Sequence, residues 1–422
     1  MQKKLLAIQV DGVSADTFEK YAHRLPNMNR LAVSGLRVRR LKSAVPATSV
    51  PGRATMLTGV GPELHGVYGN HIFRGDAFVA PLAEDLQAPT IAAHAKAAGL
   101  DVVTIGQALV DPADTSVYVS PWWMRGFMTG HRFGKMVTPE ALSASRAIHD
   151  PENRLVLAGM TDMDAFREPV NDGAPPLIAG LALDQFINRA VVAMLGSDRP
   201  PDLVLTEIEM PDSFQHYLGY DSPGAIWSVE FADMLIGNLL AVLERTGRRE
   251  DYVVAVASDH GHGPVDTAIF PEAILPEMHW MTEGASLYVS ERASGDIESA
   301  AERLSAYGVE LWNDDHLPER LRGTVAMFVA PPRHSFEERP KDASGPLSAT
   351  GSPRAISTHG FRPGSPEDDR MFILSGNGVA PQIIESANAN QFAPTLANVL
   401  GLSQAPYAGR TLIQGSQELE LS

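Results

Sequence analysis

The sequence predicts an α/β protein in which helices sandwich a mostly parallel sheet and a smaller cap is inserted into this core. Two observations support the prediction. Short, wholly apolar runs recur along the chain, and helical apolar patterns lie between them. Strands that are apolar on both faces are typical of parallel sheets covered on both sides, and alternation of strands with helices is typical of α/β folds.

The predicted strands are short and most end at a polar residue, and they lie at 5–10, 101–106, 203–208, 252–257 and 371–376. The predicted helices lie between or after them, at 89–99, 181–195, 228–247 and 391–401. In such sheets the chemistry gathers at the carboxyl ends of the strands. The polar residues that follow the strands are therefore the first candidates for a functional site.

Two segments interrupt the alternation of strands and helices. Residues 110–175 are rich in Trp, Met, Pro and Gly, and a mixed segment follows residue 262. We interpret residues 1–262 and 355–422 as a catalytic core that carries the 110–175 insertion, and residues 263–354 as an inserted cap. A long loop near 335–358 is expected to be mobile, or to be ordered by whatever it covers.

Composition narrows the possible partners. The 422-residue chain has a net charge of −17 and no run rich in lysine or arginine, so double-stranded nucleic acid is not an expected partner. It has no cysteine, so a metal would be held by His, Asp and Glu. The amino-terminal residues do not form a secretory signal, and no run approaches the ~18 apolar residues of a membrane span. We therefore expect a cytoplasmic protein without a membrane partner.

Four fragments place carboxylates and imidazoles near predicted strand ends. They are VDG, MPDSFQHYLG, SDHGH and STHGF, which contribute Asp11, Asp212, His216, Asp259, His260 and His359. Singly, each is compatible with a helix cap, a turn, a solvated helix face or an ordinary loop histidine. Together they form a set of the ligands that zinc takes in the absence of thiolates, which favours a metal site.

A pair of hydroxyls precedes a short helical run in VPATSVPGRATMLTGVGPELHGVYGN, residues 45–70. This stretch and the four fragments, taken in their order along the chain, resemble the alkaline phosphatase superfamily. The nearest match is its nucleotide pyrophosphatase/phosphodiesterase branch, and QFAPTLANVLGL is similar to a helix common across the superfamily. The resemblance covers about residues 1–75, 180–262 and 355–405.

The resemblance implies two zinc ions and a serine nucleophile. One zinc would be held by Asp212, His216 and His359. The other would be held by Asp11, Asp259 and His260, with the Ser49 hydroxyl as a further ligand. Manganese at one of the two sites stays open as an alternative.

The same resemblance assigns catalytic roles. Ser49, bound to metal at a helix amino end, would ionise without a histidine base, attack phosphorus and form a phosphoseryl enzyme. Asn70 would donate to a non-bridging phosphoryl oxygen. Thr48 is the competing nucleophile, and the spacing to Pro51 favours Ser49. Two roles stay open for His262, namely contact with the leaving group and packing. His65 is interpreted as a turn residue.

The predicted substrate is a small phosphate or phosphonate ester, most simply a phosphodiester. Nucleotide-cleaving relatives commonly have an aromatic residue directly after the nucleophile and a basic residue before it, where this chain has Val50 and Thr48. Two roles stay open for Trp122 and Trp123: they could stack on a base, or they could anchor the insertion to the core.

Other hypotheses about the function stay open. A phosphonoacetate hydrolase-like enzyme would cleave a carbon–phosphorus bond and hold the substrate carboxylate with cations, for which Arg125, Arg132 and Lys135 are candidates. A phosphomonoesterase, a mutase of the same superfamily and a metal-binding protein without catalysis are the remaining alternatives. The sequence does not indicate an oligomeric state.

Overall fold

The structure is a computed structural model that describes residues 3–43, 45–123, 148–163, 176–339, 348–404 and 407–413. Its first nine strands are β1 (Lys4–Val10), β2 (Leu36–Lys42), β3 (Ile72–Arg74), β4 (Ala77–Val79), β5 (Val102–Ile105), β6 (Val117–Val119), β7 (Ile148–His149), β8 (Leu203–Ile208) and β9 (Tyr252–Ala257). The later strands are β10 (Gly263–Pro264), β11 (Thr267–Ile269), β12 (His279–Glu283), β13 (Ser286–Ser290), β14 (Glu310–Leu311), β15 (Val325–Val329), β16 (His334–Phe336), β17 (Thr350–Gly351), β18 (Ser357–Thr358), β19 (Arg370–Ser375) and β20 (Gln382–Asn388).

The α-helices are α1 (Ala15–Tyr21), α2 (Pro26–Ser34), α3 (Ser49–Thr58), α4 (Pro62–His65), α5 (Ile91–Ala97), α6 (Arg154–Leu157), α7 (Pro176–Gly196), α8 (Met210–Leu218), α9 (Pro223–Arg245), α10 (Pro271–Ile274), α11 (Asp296–Ser305) and α12 (Phe392–Val399). All five predicted strands and all four predicted helices are present, with ends that differ by a few residues.

A nine-stranded sheet forms the centre of the molecule, in the order β20-β2-β19-β9-β1-β8-β5-β6-β7. Strand β1 is parallel to both β8 and β9, and β5 is parallel to both β6 and β8. Strand β19 is antiparallel to both of its neighbours, β2 and β9. The mostly parallel α/β fold expected from the sequence is therefore confirmed, with β19 reversed inside the sheet and β7 reversed at its edge.

Helices cover both faces of the sheet, as the apolar strands require. Alternate residues of β1 point to opposite faces, so Leu6 and Ile8 join one buried cluster and Leu5 and Ala7 join the other. Helices α2, α7 and α9 contribute to the first cluster, and α3, α5 and α12 contribute to the second. The predicted sandwich of helices around the sheet is confirmed.

No apolar run long enough to span a membrane was expected from the sequence, but among the described residues two helices are long and apolar enough by length and composition, namely residues Leu177–Gly196 of α7 and Pro223–Arg245 of α9. In the fold, half and two thirds of their most apolar windows are buried. The side chain of Asn188 on α7 donates to the carbonyl of Leu235 on α9, and both helices pack on the sheet. Their apolar character is accounted for by this packing in the core.

The segment after β9 folds as a separate layer with its own apolar cluster. Strands β12, β13, β15 and β14 form a four-stranded antiparallel sheet. Strands β16, β11 and β17 form a three-stranded mixed sheet, in which β11 is parallel to β16 and antiparallel to β17. The buried residues of this cluster include Leu287, Val289, Leu304 and Phe328, so helix α11 packs on the four-stranded sheet. We call this layer, residues 263–358, the cap, and the division at residue 354 expected from the sequence stays a prediction.

The register of the three central strands fixes where the polar residues meet. Val10 pairs with Ile208, and Gln9 pairs with Ala257, so the chain leaves β1, β8 and β9 at the same edge of the sheet. Asp11 follows directly at this edge. Gly12 has a φ of +68°, and a Cβ there would lie 3.0 Å from Oδ1 of Asp212, so the close approach of the two segments requires glycine.

Candidate active site

The carboxyl edge of the sheet gathers the residues that the four fragments supply. Asp11 follows β1, Asp259 and His260 follow β9, and Asp212 lies in the first turn of α8, which begins shortly after β8. His359 comes from the segment after β18, at the end of the cap. Asp11, Asp259 and His260 are fully buried, and Asp212 and His359 nearly so.

Asp212, His216 and His359 form one group able to hold a metal ion, because their ligand atoms all lie within 4.8 Å of one another. Asp212 and His216 share a face of α8 through their four-residue spacing, and Nε2 of His216 lies 3.3 Å from Oδ2 of Asp212. Nδ1 of His216 donates to the carbonyl of Ser357 over 3.0 Å, which leaves Nε2 as the ligand atom.

Asp11, Asp212 and His260 form a second such group. Nε2 of His260 lies 3.0 Å from Oδ1 of Asp11, and Nδ1 donates to the carbonyl of Gly261 over 2.7 Å. Burial opposes protonation of His260, yet the carboxylate of Asp259 and then that of Asp11 outweigh it and raise the pKa of the imidazole to about 9. A metal ion bound here would displace that proton.

Asp259 is placed beside this second group and its carboxylate is already engaged by protein donors. Oδ2 accepts from Arg53 over 2.5 Å, and Oδ1 accepts from the backbone N–H of Gly12 over 3.3 Å. Nε2 of His260 lies 3.5 Å from Oδ2 of Asp259. Asp212 therefore belongs to both groups, whereas Asp259 lies next to the second group without being part of it. The assignment of Asp259 as a ligand stays a prediction.

Ser49 is the first residue of α3, and Thr48 is the residue that caps this helix. Oγ of Ser49 lies 3.1 Å from Nε2 of His260, whereas the hydroxyl of Thr48 is buried without a hydrogen-bond partner among the described residues. Ser49 is thus the hydroxyl that faces the imidazoles, at the amino end of a ten-residue helix where the helix dipole favours negative charge. This placement supports Ser49 over Thr48 as the nucleophile.

Asn70 lies next to the amino end of α3. Its Oδ1 accepts from the backbone N–H of Val50 over 2.8 Å. Because a backbone donor fixes the orientation of the amide, the NH₂ group is the part of the side chain left for a ligand. The expected role of Asn70, donation to a phosphoryl oxygen, is compatible with this orientation.

Arg53 is a fully buried cation at this site that the sequence analysis did not identify. It lies one helical turn after Ser49, and its five N–H donors bind five oxygens. Nε donates to Glu207, Nη1 donates to the carbonyl of Ser49 and to Asp259, and Nη2 donates to Asp11 and Glu209. The guanidinium also lies 4.5 Å from the ring centroid of Trp123, a cation–π contact.

The two glutamates that bind Arg53 are also buried. Burial raises the pKa of Glu207 to about 7 and raises the pKa of Glu209 well above its usual range. Burial likewise opposes ionisation of Asp11, but the charge of Arg53, together with the hydrogen bond and charge of His260, outweighs it and lowers the pKa of Asp11. Arg53 thus keeps a potential metal ligand in its charged form.

His262 is placed beside Asp212. Its Nδ1 is 2.7 Å from the hydroxyl of Ser357, and its Nε2 is 3.4 Å from Oδ1 of Asp212. Burial lowers the pKa of His262 to about 4, so the ring is neutral near neutral pH. This position fits a residue that orients Asp212, and its role stays a prediction.

Several buried polar atoms at this site have no hydrogen-bond partner among the described residues, and they are Oδ1 of Asp212, Nε2 of His216, Nε2 of His262 and Nδ1 of His359. Orphaned buried polar atoms are costly, and their convergence is expected where an ion completes the site. Five carboxylates also gather here, from Asp11, Glu207, Glu209, Asp212 and Asp259. Within the described part of the chain, Arg53 is the arginine that contacts four of them, namely Asp11, Glu207, Glu209 and Asp259. Carboxylates and imidazoles that converge in this way are the ligands that zinc takes, so the residues fit the metals that the resemblance implies.

The chain matches the family model for type I phosphodiesterase / nucleotide pyrophosphatase over residues 5–372. The protein belongs to this family, which lies within the alkaline phosphatase superfamily. The resemblance inferred from the sequence is therefore confirmed.

Known proteins similar to the chain carry the same description. A venom phosphodiesterase of Macrovipera lebetinus is 24% identical over 264 residues, which is 62% of this chain and 26% of that protein. An uncharacterized pyrophosphatase/phosphodiesterase of Schizosaccharomyces pombe is 24% identical over 271 residues, 62% of this chain and 45% of that protein. The chain thus matches less than half the length of these relatives.

Solved structures share the fold over nearly the whole chain. Murine ectonucleotide pyrophosphatase/phosphodiesterase 5, as an inactive variant in complex with AMP, has a TM-score of 0.69 and 16% identity, with 97% of each chain covered. The human protein of the same name has a TM-score of 0.68 and 16% identity, with 96% of this chain and 97% of that chain covered.

The tryptophans considered for base stacking make hydrogen bonds to acidic residues of the core. The indole of Trp123 donates to Glu207 beneath Arg53, and the indole of Trp122 donates to Asp184 over 2.8 Å. Val50 is 2% exposed and packs in the second core cluster. These contacts favour anchoring over stacking. Arg125, Arg132 and Lys135, the cations weighed for a phosphonate carboxylate, lie outside the described residues.

Proposed function

We propose that the protein is a two-metal hydrolase of small phosphorus esters, acting on phosphodiesters through a phosphoseryl intermediate on Ser49. The observation that carries the proposal is the position of the Ser49 hydroxyl, at the amino end of α3 and 3.1 Å from Nε2 of His260, beside two groups able to hold metal ions. Family membership supports a hydrolase of this class.

The candidate ligands divide into two sets, both at the carboxyl edge of the central sheet. Asp212, His216 and His359 would hold one divalent ion, and Asp11 and His260, with Ser49 and Asp259 beside them, would hold the other. Two divalent ions held there would neutralise charge on the phosphoryl group and on the serine oxygen and would supply Lewis acidity. Zinc is the proposed metal because the ligands are imidazole and carboxylate, and manganese at one site remains the alternative.

The reaction at Ser49 is a displacement at phosphorus. The serine hydroxyl gives its proton to solvent, its oxygen forms a bond to phosphorus, and the bond to the leaving alcohol breaks with the electron pair going to that alcohol. Asn70 donates its NH₂ group to a non-bridging oxygen while charge builds there. Water then cleaves the phosphoserine, which restores Ser49 and releases a phosphomonoester.

The substrate is proposed to be recognised through its phosphoryl group more than through a stacked base. Val50 and Trp123 are packed inside the molecule and are not free to stack on a nucleobase. The murine relative was solved with AMP, which supports testing a nucleotide diester alongside simpler diesters. A cytoplasmic location and the absence of a membrane partner remain predictions.

A rate comparison on zinc-loaded protein tests the proposal. The substrates are nitrophenyl phosphate, bis-nitrophenyl phosphate, a nitrophenyl nucleotide diester and phosphonoacetate. We expect the two diesters to give the highest kcat/KM. Dominant phosphate release from phosphonoacetate would move the protein to carbon–phosphorus chemistry, dominant cleavage of nitrophenyl phosphate would make it a monoesterase, and no turnover of any substrate would contradict an enzyme of this class.

A further inference from the structure

The hairpin of β12 and β13 brings the cap into contact with the loop that carries Asn70. Glu283, the last residue of β12, is 4% exposed, and its carboxylate accepts two backbone hydrogen bonds. Oε2 accepts from the N–H of Asn70 over 2.8 Å, and Oε1 accepts from the N–H of His71 over 2.6 Å. One carboxylate of the cap therefore binds two successive amides of a core loop 212 residues earlier in the chain.

A second contact of the same hairpin strengthens the attachment to that loop. The hydroxyl of Tyr288 on β13 donates to the carbonyl of Tyr68 over 2.6 Å, and the two rings pack edge to face. The loop is thus held at residue 68 and again at residues 70 and 71. Because Oδ1 of Asn70 accepts from Val50, the contacts continue to the amino end of α3.

The turn of this hairpin also binds the segment that carries His359. The N–H of Ala285 donates to the carbonyl of His359 over 3.0 Å, and the hydroxyl of Ser286 donates to the carbonyl of Gly360 over 2.7 Å. Gly284 has a φ of +69°, and a Cβ there would collide with the carbonyl oxygen of His359. The four residues from Glu283 to Ser286 therefore bridge a candidate metal ligand and a candidate phosphoryl donor.

We propose that Glu283 is a positioning residue for catalysis, which makes the cap part of the active-site machinery. The proposal rests on the function proposed above. Glu283 does not reach the reacting atoms. It fixes the backbone of Asn70 and His71, and with Val50 it sets where the Asn70 amide points. A buried carboxylate that accepts two amide hydrogens makes charge-assisted bonds, which are stronger and shorter than neutral ones.

The alternative is that Glu283 only stabilises a loop. The two possibilities differ in what they do to Asn70, because a donor that acts in the transition state affects kcat more than KM. Removing one preorganised donor typically costs about 10²–10³-fold in kcat. Shifting that donor without removing it is expected to cost less, about tenfold.

The test is a double-mutant cycle in the zinc-loaded full chain with bis-nitrophenyl phosphate as the substrate. The variants are Glu283→Gln, Asn70→Ala and the two combined. Glu283→Gln keeps one acceptor oxygen but presents an NH₂ group to a backbone N–H. We expect its kcat to fall about tenfold with KM and zinc content unchanged, and we expect the combined variant to resemble Asn70→Ala alone.

Glu291→Gln is the matched control. Glu291 lies in the same cap and its carboxylate also accepts two backbone hydrogen bonds, from Gly295 over 2.7 Å and Ile297 over 2.9 Å. Among the described residues, these two hydrogen bonds are within residues 291–297 and do not involve the Asn70 loop. We expect this variant to keep the wild-type kcat, even if its melting temperature falls as much as that of Glu283→Gln.

Glu283→Asp is the second variant, because it keeps the charge and both oxygens on a shorter side chain. We expect it to recover part of the lost kcat. The positioning role is overturned if the effects of Glu283→Gln and Asn70→Ala multiply independently, or if Glu283→Gln and Glu283→Asp both fail to fold. If Asn70→Ala alone keeps the wild-type rate, the assignment of Asn70 in the proposed function fails first, and the role of Glu283 fails with it.

Discussion

Nη2 of Arg53 lies 2.5 Å from Oδ2 of Asp11, while Oδ1 of the same carboxylate lies 3.0 Å from Nε2 of His260 and has no other partner among the described residues. The guanidinium therefore binds one edge of Asp11 and leaves the other edge for the site. Arg53 also binds Oδ2 of Asp259, whose Oδ1 accepts from the N–H of Gly12, so the guanidinium orients two carboxylates on one side of the centre.

Replacing Arg53 by methionine should destabilise the protein strongly. The change removes the cation from four buried carboxylates, and breaking a buried ion pair on one side typically costs about 3–5 kcal/mol. The measurement is urea unfolding of metal-free protein, so that bound ions do not mask the loss. The double variant Arg53→Met with Glu207→Gln should recover part of it, because one uncompensated charge is removed. Unchanged stability in Arg53→Met would show that the network contributes little.

The strands, the helices and the imidazole–carboxylate fragments were predictable from the sequence because their signals are local. Apolar runs and helical periodicity depend on near neighbours in the chain, and Asp11 and His260 are recognisable because each follows a predicted strand. The reversed direction of β19 was not predictable, since its residues look the same whichever way the strand runs. Strand β20 was also missed, because it is exposed along most of its length and lacks an apolar run.

The parts of the site that the sequence analysis missed are contacts between segments distant in the chain. Arg53 meets Glu207 across 154 residues, and Glu283 meets Asn70 across 213. Neither pair leaves a spacing pattern, because the fold alone brings them together. Arg53 did carry one signal, a charged residue inside an otherwise apolar and small-residue helix. A buried cation requires a buried acidic partner. Glu207 and Glu209 are such partners of Arg53.

Replacing Ser49 by alanine should abolish turnover and leave the metal content nearly intact. The remaining ligands keep the ions in place, but no oxygen is left to form the bond to phosphorus. Thr48→Val is the matched control, because the Thr48 hydroxyl makes no hydrogen bond to the described residues and valine has nearly its shape. The readouts are kcat with bis-nitrophenyl phosphate and zinc by elemental analysis. Full activity in Ser49→Ala, or loss of activity in Thr48→Val alone, would move the nucleophile away from Ser49.

Removing the metal should lower both activity and thermal stability. Without the ions, the carboxylates around Asp11 and Asp212 repel one another inside the protein, and a ligand that binds the folded state stabilises it in proportion to the logarithm of its concentration. Dialysis against a chelator is expected to lower Tm, and added zinc is expected to restore Tm and kcat together.

His216→Asn probes one of the two ligand sets. It should reduce bound zinc by about one ion per chain, because it removes one of three ligands from the group formed with Asp212 and His359. His94→Asn is the control, since His94 lies on α5, contacts the hydroxyl of Tyr407 and belongs to neither candidate metal group. A chelator-treated protein with unchanged Tm and full activity would contradict a metal centre.

Acid should destabilise the protein partly through His65, which lies outside the metal groups. Burial lowers the pKa of His65 to about 3, and the ring is held neutral by two contacts. Nδ1 accepts from the N–H of Val67 over 3.2 Å, and Nε2 lies 3.0 Å from the hydroxyl of Thr55. In the unfolded chain the ring takes up a proton below about pH 6.5, so only the unfolded state gains protons between pH 6.5 and about 3.

The contribution of His65 is therefore complete above pH 6.5 and is lost as the pH falls, by about 1.4 kcal/mol per pH unit for one proton. His65→Asn keeps an acceptor for the N–H of Val67 but does not titrate. We expect its free energy of unfolding to fall less steeply than that of the wild type between pH 6.5 and 4.5. Other buried histidines contribute equally to both proteins, so the difference between the two slopes isolates one proton. Equal slopes would mean that His65 is protonated as readily in the folded state as in the unfolded state, which its burial against Thr55 and Val67 opposes.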